Sequence, residues 1–167
     1  GDPWHSDEWK IPYTDERLKP LRKQILDIIT FWLSKGADGF RVDLANSLIK
    51  GDYDLSALKW LWSKFIGGAK EKYPEAIFMS EWGNPKDSAA CGFDIDYFSH
   101  CSIGYNELFR GEKGSNILPA FECGHSYFSH EAKGDMSAFV NYTLKITENL
   151  GKGKYYSVPS GYHDITR

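Results

Sequence analysis

The sequence predicts an α/β fold in which parallel strands alternate with helices. Short apolar runs at 37–43, 76–79, 93–98 and 155–158 read as strands, and stretches with apolar residues at helical spacing lie between them. The acids point the same way, because Asp43, Glu81 and Asp164 each stand where a strand candidate runs out. Helix alternating with strand at this spacing builds βα units on a parallel sheet.

Residues 1–15 are rich in Pro, Trp and Asp, show no period and read as an incoming surface loop. From Pro20 the apolar positions Leu21, Ile25, Ile28, Ile29 and Trp32 recur at helical spacing, and Gly36 supplies a stop. Proline suits the first turn, where the amide hydrogen it lacks would have no partner. Ala37 to Asp43 then reads as a short strand buried on both sides. Leu55, Leu58, Leu61, Trp62 and Phe65 give a second helical stripe, ending near Gly67-Gly68 or a little beyond. Pro74 precedes the run Ala76-Ile77-Phe78-Met79, which leads into Ser80-Glu81, and Phe93 to Phe98 is a third strand candidate.

Residues 99–135 are Gly-rich and aromatic with weak local signals. They form a long irregular insertion, either a loop with short helices or a poorly ordered stretch. Met136, Phe139, Val140, Thr143, Ile146 and Thr147 restore a helical pattern, closed by Gly151 and Gly153. Tyr155-Tyr156-Ser157-Val158 is the last strand candidate and runs on toward His163 and Asp164. There is no internal repeat and no low-complexity segment.

Composition excludes several classes. With 167 residues, 26% charged and 41% hydrophobic, the chain is ordinary globular material with enough length for a sizeable core. A net charge of −3 without a dense Lys/Arg run argues against nucleic acid. No apolar run approaches the ~20 residues of a membrane helix. The N-terminus is neither a signal peptide nor a lipidation site and reads as chain in mid-domain, so the sequence assigns no localisation. Cys91, Cys101 and Cys123 make no CxxC pair, and an odd count leaves at least one thiol free. His125 and His130, five apart, do not share a helix face, and no histidine shows metal-ligand spacing; no metal is expected on this chain. Aromatics at 16%, including six Trp, serve as core filler or as flat faces that stack on sugar rings, and composition does not choose.

The acids at strand ends carry the chemistry. Catalytic groups on parallel α/β sheets project from the C-terminal ends of strands. One such acid alone is more often an N-cap or turn residue; three in register favour a site. Arg41 and Asp43, two apart on a strand, face the same side. An arginine there keeps the neighbouring carboxylate ionised. Glu81 lies between an apolar strand and Trp82, so apolar surroundings that hold its proton are expected. One ionised and one protonated carboxyl is the pair that glycoside cleavage uses.

These residues carry a resemblance. The segment Gly36-Ala37-Asp38-Gly39-Phe40-Arg41-Val42-Asp43 resembles the fourth-strand motif of the α-amylase family of retaining glycoside hydrolases, whose aspartate is the nucleophile. Phe78-Met79-Ser80-Glu81-Trp82 resembles the fifth-strand motif with its general acid/base, and Gly161-Tyr162-His163-Asp164 the seventh-strand motif, whose His-Asp pair binds ring hydroxyls. The resemblance implies a partial (β/α)8 TIM barrel, about strands four to seven, with the other strands outside this chain. It also implies a covalent glycosyl-enzyme formed on Asp43 from an α-glucan or α-glucoside, with hydrolysis or transfer to another sugar completing the cycle.

Arg41, His163, Asn46 and Trp82 become the candidate substrate-binding residues. Asn46 and Ser47 stand where family members often carry Lys-His on the acceptor side, and Tyr162 stands for the usual Asn. No cofactor is expected in this chain; calcium, where the parent protein holds one, would be ligated largely outside it. The partner implied is an oligo- or polysaccharide. The isolated chain is expected to be inactive and to self-associate through exposed barrel edges. The competing reading is a non-catalytic sugar-binding or scaffold module that retains the motifs.

Overall fold

The computed structural model describes residues 11–97, 126–128, 130 and 136–158. Within them a short 3-10 turn, Glu16–Leu18, leads into α1 (Lys19–Ser34), β1 (Gly39–Val42), α2 (Ser56–Trp62) and α3 (Gly68–Lys72). There follow β2 (Ile77–Ser80), α4 (Pro85–Ala90), β3 (Ile95–Tyr97), α5 (Ser137–Asn149) and β4 (Tyr155–Ser157). The four strands form one sheet in the order β1-β2-β3-β4, every neighbouring pair parallel. Each strand lies beside its predecessor, with at least one helix in every crossover. That is the winding of a (β/α) barrel arc, and not of a sheet whose strand order reverses.

The core lies on one face of this arc. Phe78 of β2, Phe93, Leu33 of α1 and the apolar side of α2 and α3 (Leu58, Phe65, Ala69) form a buried cluster around Trp62. The Trp62 ring meets Phe93 edge-on at 4.8 Å and Phe65 at 5.9 Å. Its buried Nε1–H donates to the Ala45 carbonyl at 3.1 Å, so the loop after β1 is tied directly to the core.

The helices differ from expectation in instructive ways. The period of α1 is as expected, but its core-facing stripe is Ile25, Leu26, Ile29 and Leu33, while Leu21, Ile28 and Trp32 are about half exposed. Periodicity specifies a spacing; which of two adjacent apolar rows faces inward depends on where the sheet lies. The second helix runs a little beyond Gly67-Gly68, to Lys72. It passes through a π-helical turn, Ser63–Gly67, and continues as α3. A Cβ at Gly68 would meet Leu26 Cδ2 at 3.0 Å, so Gly68 allows α1 to approach closely, while the helix runs on through both glycines. Asp52 takes the role of the missing cap: its carboxylate accepts from the amides of Ala57 and Leu58 at 3.1 and 2.8 Å.

β1 is likewise not buried on both sides. Arg41 is exposed and its neighbours only half-buried, because the described residues cover a single face of the sheet. Residues 11–15 carry no helix or strand, in keeping with an incoming loop, and most of 99–135 lies outside the described residues. Cys91 is buried, which pushes its thiol up to about 11 and leaves it unreactive; Cys101 and Cys123 lie outside the described residues. Among the described residues no helix is long and apolar enough to cross a membrane. Among them, too, no group of three or more His, Cys, Asp or Glu is placed to hold a metal.

Two contacts set how β2 meets its neighbours. Gly39 faces Ile77, and a Cβ there would fall 1.9 Å from the Ile77 carbonyl oxygen. At the entrance to β3, Asp94 accepts from the Phe78 amide at 2.9 Å and from Lys70 Nζ at 2.7 Å, with Lys154 Nζ 3.5 Å away. Partial burial pushes the Asp94 carboxyl up, but Lys70, the Phe78 amide and Lys154 together outweigh it, and the net shift is downward.

Two outcomes are expected. Gly39→Ala destabilises the protein by about 2 to 3 kcal/mol in urea unfolding, because backbone rather than a flexible side chain must yield. The open site at Gly36, where φ is +97°, loses only about 1 kcal/mol on the same change. The lowered Asp94 carboxyl stabilises the fold above the ordinary carboxylate range, and that contribution fades as pH falls through its folded value. Lys70→Met removes part of it, so acid unfolding followed by circular dichroism moves to higher pH.

Candidate active site

The register of β1 on β2 puts two of the three predicted acids, Asp43 and Glu81, side by side. Val42 lies opposite Ser80, and the ladder runs one step further, with the Glu81 amide donating to the Val42 carbonyl at 2.9 Å. Asp43 and Glu81 are therefore the residues just past the C-terminal ends of adjacent parallel strands. By strand alternation Arg41, Asp43, Met79 and Glu81 share the face away from the aromatic core.

A single guanidinium joins the acids. Arg41 Nη1 donates to Asp43 Oδ1 at 2.5 Å, and its Nη2 lies 2.8 Å from Glu81 Oε2. The Leu44 amide donates to the same Oε2 at 3.1 Å, and Tyr97 Oη donates to Glu81 Oε1 at 2.9 Å. Glu81 is thus gripped at both oxygens with a side chain 13% exposed, while Asp43 stands 70% exposed. One acid is enclosed and the other open to solvent.

The surroundings of Glu81 correct the sequence expectation. Apolar neighbours were expected to shield its proton; instead its carboxyl faces a guanidinium, a backbone amide and a phenol. The strand before it is apolar toward the core, but Glu81 points to the opposite face. Leu44, which supplies the amide, has φ +43°, a left-handed conformation costly for a branched side chain. Its strain is set at the site by the turn after β1, where the Ala45 carbonyl holds the Trp62 indole.

Of the other candidates, Trp82 follows Glu81 and is half-buried against the core cluster, and Asn46 is exposed on the turn after Asp43. His163 and Asp164 lie outside the described residues. Sequence reading missed Tyr97, the Leu44 amide and Asp96. Tyr97 stood within a strand candidate, yet nothing local says that it draws level with Glu81; that follows from the pairing of Ser80 with Asp96 one step earlier.

Asp96 is 1% exposed and faces the other side of the sheet. Its Oδ1 accepts from Ser80 Oγ at 2.8 Å and from the amides of Trp82 and Gly83 at 3.1 and 3.3 Å. Burial pushes its carboxyl up, against those donors.

No family model matches the chain. Over 65 residues it is 34% identical to Alpha-amylase 3 of Dictyoglomus thermophilum, a match covering 38% of this chain and 12% of that protein. Over that stretch the chain is similar to an α-amylase. Amy13B of Eubacterium rectale superposes with a TM-score of 0.53 at 18% identity, covering 87% of this chain and 25% of that structure. At that identity the likeness shows the fold: the chain forms a four-stranded arc of a (β/α) barrel. It spans a small part of the length of both relatives.

The shared guanidinium gives an expected outcome. Arg41→Met leaves Glu81 enclosed beside Asp43 without its cation and destabilises the protein by about 1 to 2 kcal/mol, less than a fully buried pair because Asp43 is open to water. Arg41→Met with Glu81→Gln recovers about 1 kcal/mol in a double-mutant cycle by urea unfolding.

Proposed function

We propose that the protein containing this chain is a retaining α-glycoside hydrolase or transglycosylase acting on α-glucans or α-glucosides, with Asp43 as nucleophile and Glu81 as general acid/base. The observation that carries this reading is Arg41, whose one guanidinium bonds both carboxyls at neighbouring strand ends. A retaining pair works with its carboxyls about 5 Å apart, close enough for one to attack the anomeric carbon while the other serves the glycosidic oxygen. A fork of two nitrogens on one planar group suits that spacing.

In the proposed cycle Asp43 attacks the anomeric carbon from the open side and Glu81 protonates the departing oxygen. The glycosidic C–O bond breaks and a glycosyl ester forms on Asp43. Glu81, now ionised, takes a proton from water or from an acceptor hydroxyl, and attack at the same carbon releases Asp43. Arg41 stays charged throughout and orients both acids. His163 and Asp164 are proposed to hold ring hydroxyls as the ring flattens. Exposed Asn46 sits on the acceptor side, where a short side chain leaves room for a second sugar.

Kinetics on the complete protein test this. Asp43→Asn and Glu81→Gln are each expected to lower kcat/KM on a maltooligosaccharide by at least about 100-fold. With an aryl α-glucoside, whose leaving group needs little protonation, the Glu81 variant loses less than the Asp43 variant. Proton NMR of the first-formed sugar is expected to show the α-anomer. A β-anomer, or full activity in either variant, would refute the assignment.

A further inference from the structure

We propose that Asp96 is a positioning residue for Glu81, acting through the backbone of Trp82 and Gly83 and making no contact with substrate. The proposal rests on the reading of Glu81 as the general acid/base. Asp96 lies on the core face of β3, so it reaches Glu81 only through the chain on either side of it. Its Oδ1 gathers the Ser80 hydroxyl, one residue before Glu81, and the amides of Trp82 and Gly83, one and two residues after. The Ser80 hydroxyl is also 2.6 Å from that of Ser88 on α4, so the same acceptor links the end of β2, the turn and the helix that follows. Gly83 has φ +75°, and once the Glu81 amide has bonded the Val42 carbonyl, no strand ladder among the described residues holds the turn from Trp82 to Asn84.

The choice of group is informative. Among the described residues Asp96 Oδ2 is buried with no hydrogen-bond partner, and burial of that kind is costly for a carboxyl. An apolar side chain of the same shape would remove that cost but leave the Trp82 and Gly83 amides without this acceptor. The acceptor is what this position needs, and its effect is local: it sets the peptide planes that carry Glu81. The next residue on the strand, Tyr97, bonds the Glu81 carboxyl on the opposite face at 2.9 Å. One strand therefore grips Glu81 twice, by its main chain and by its tip. Displacing a reacting group by about 1 Å costs on the order of 100-fold in rate.

The test compares Asp96→Asn, which keeps an acceptor at Oδ1, with Asp96→Leu, of similar shape but without one, in the complete protein. Asn is expected to retain kcat within about threefold, and Leu to lower kcat about 30- to 100-fold, each with KM changed less than about twofold. Hydrogen exchange read by mass spectrometry is expected to speed up at the Trp82 and Gly83 amides in the Leu variant and to stay slow in the Asn variant. A Leu variant with wild-type kcat, or with unchanged exchange at those amides, would overturn the proposal. Should the Leu variant fail to fold, Asn decides: a loss of kcat beyond about tenfold with both amides still protected overturns it. Absence of glycosidase activity in the unmodified protein counts against the proposed function alone, since the exchange result still judges the hold of Asp96 on the turn.

Discussion

Gly39 lies so close to the Ile77 carbonyl that no side chain fits between them, and this approach locks β1 against β2 in one parallel register. The chemistry depends on that register. A slip of one residue would turn every side chain of β1 to the other face and carry Arg41 and Asp43 into the aromatic core. With Gly39 opposite Ile77 and Val42 opposite Ser80, the acids emerge together, near enough for one arginine to bond both.

The two faces of the sheet then do different work. Toward the helices, Phe40 stacks on Phe78 at 5.9 Å, and Trp62 packs on Phe93. This face also carries the polar group of Ser80, Ser88 and Asp96, enclosed beneath the strand ends. The other face carries the charges. Trp62, through the Ala45 carbonyl, and Asp96, through two amides, transmit the rigidity of the first face to the turns that hold Asp43 and Glu81 on the second. A site at strand ends has no ladder of its own, so its precision must come from the layer behind it.

Much of this was legible in the sequence. Asp43, Glu81 and Arg41 were readable because strand alternation and the position of acids at strand ends are local patterns. The helices were readable in period but not in aspect: α1 turns Leu26 inward and Trp32 partly outward. Gly67-Gly68 illustrates the same limit. A glycine can read as a helix stop, yet here Gly68 opens space for Leu26 of another helix, and only the neighbour distinguishes the two meanings.

The sequence by itself determined the order of elements, the alternation of helix with strand, and which acids stand at strand ends, because each is written in spacings of a few residues. Tertiary structure alone decided that Tyr97 and the Leu44 amide take the two oxygens of Glu81, and that Asp96 braces the turn behind it. Those contacts join residues 14 to 37 positions apart across strands. The physical reason is that hydrogen bonds between strands depend on register, and register is set by the close packing of whole strands rather than by the residues that come to share the site.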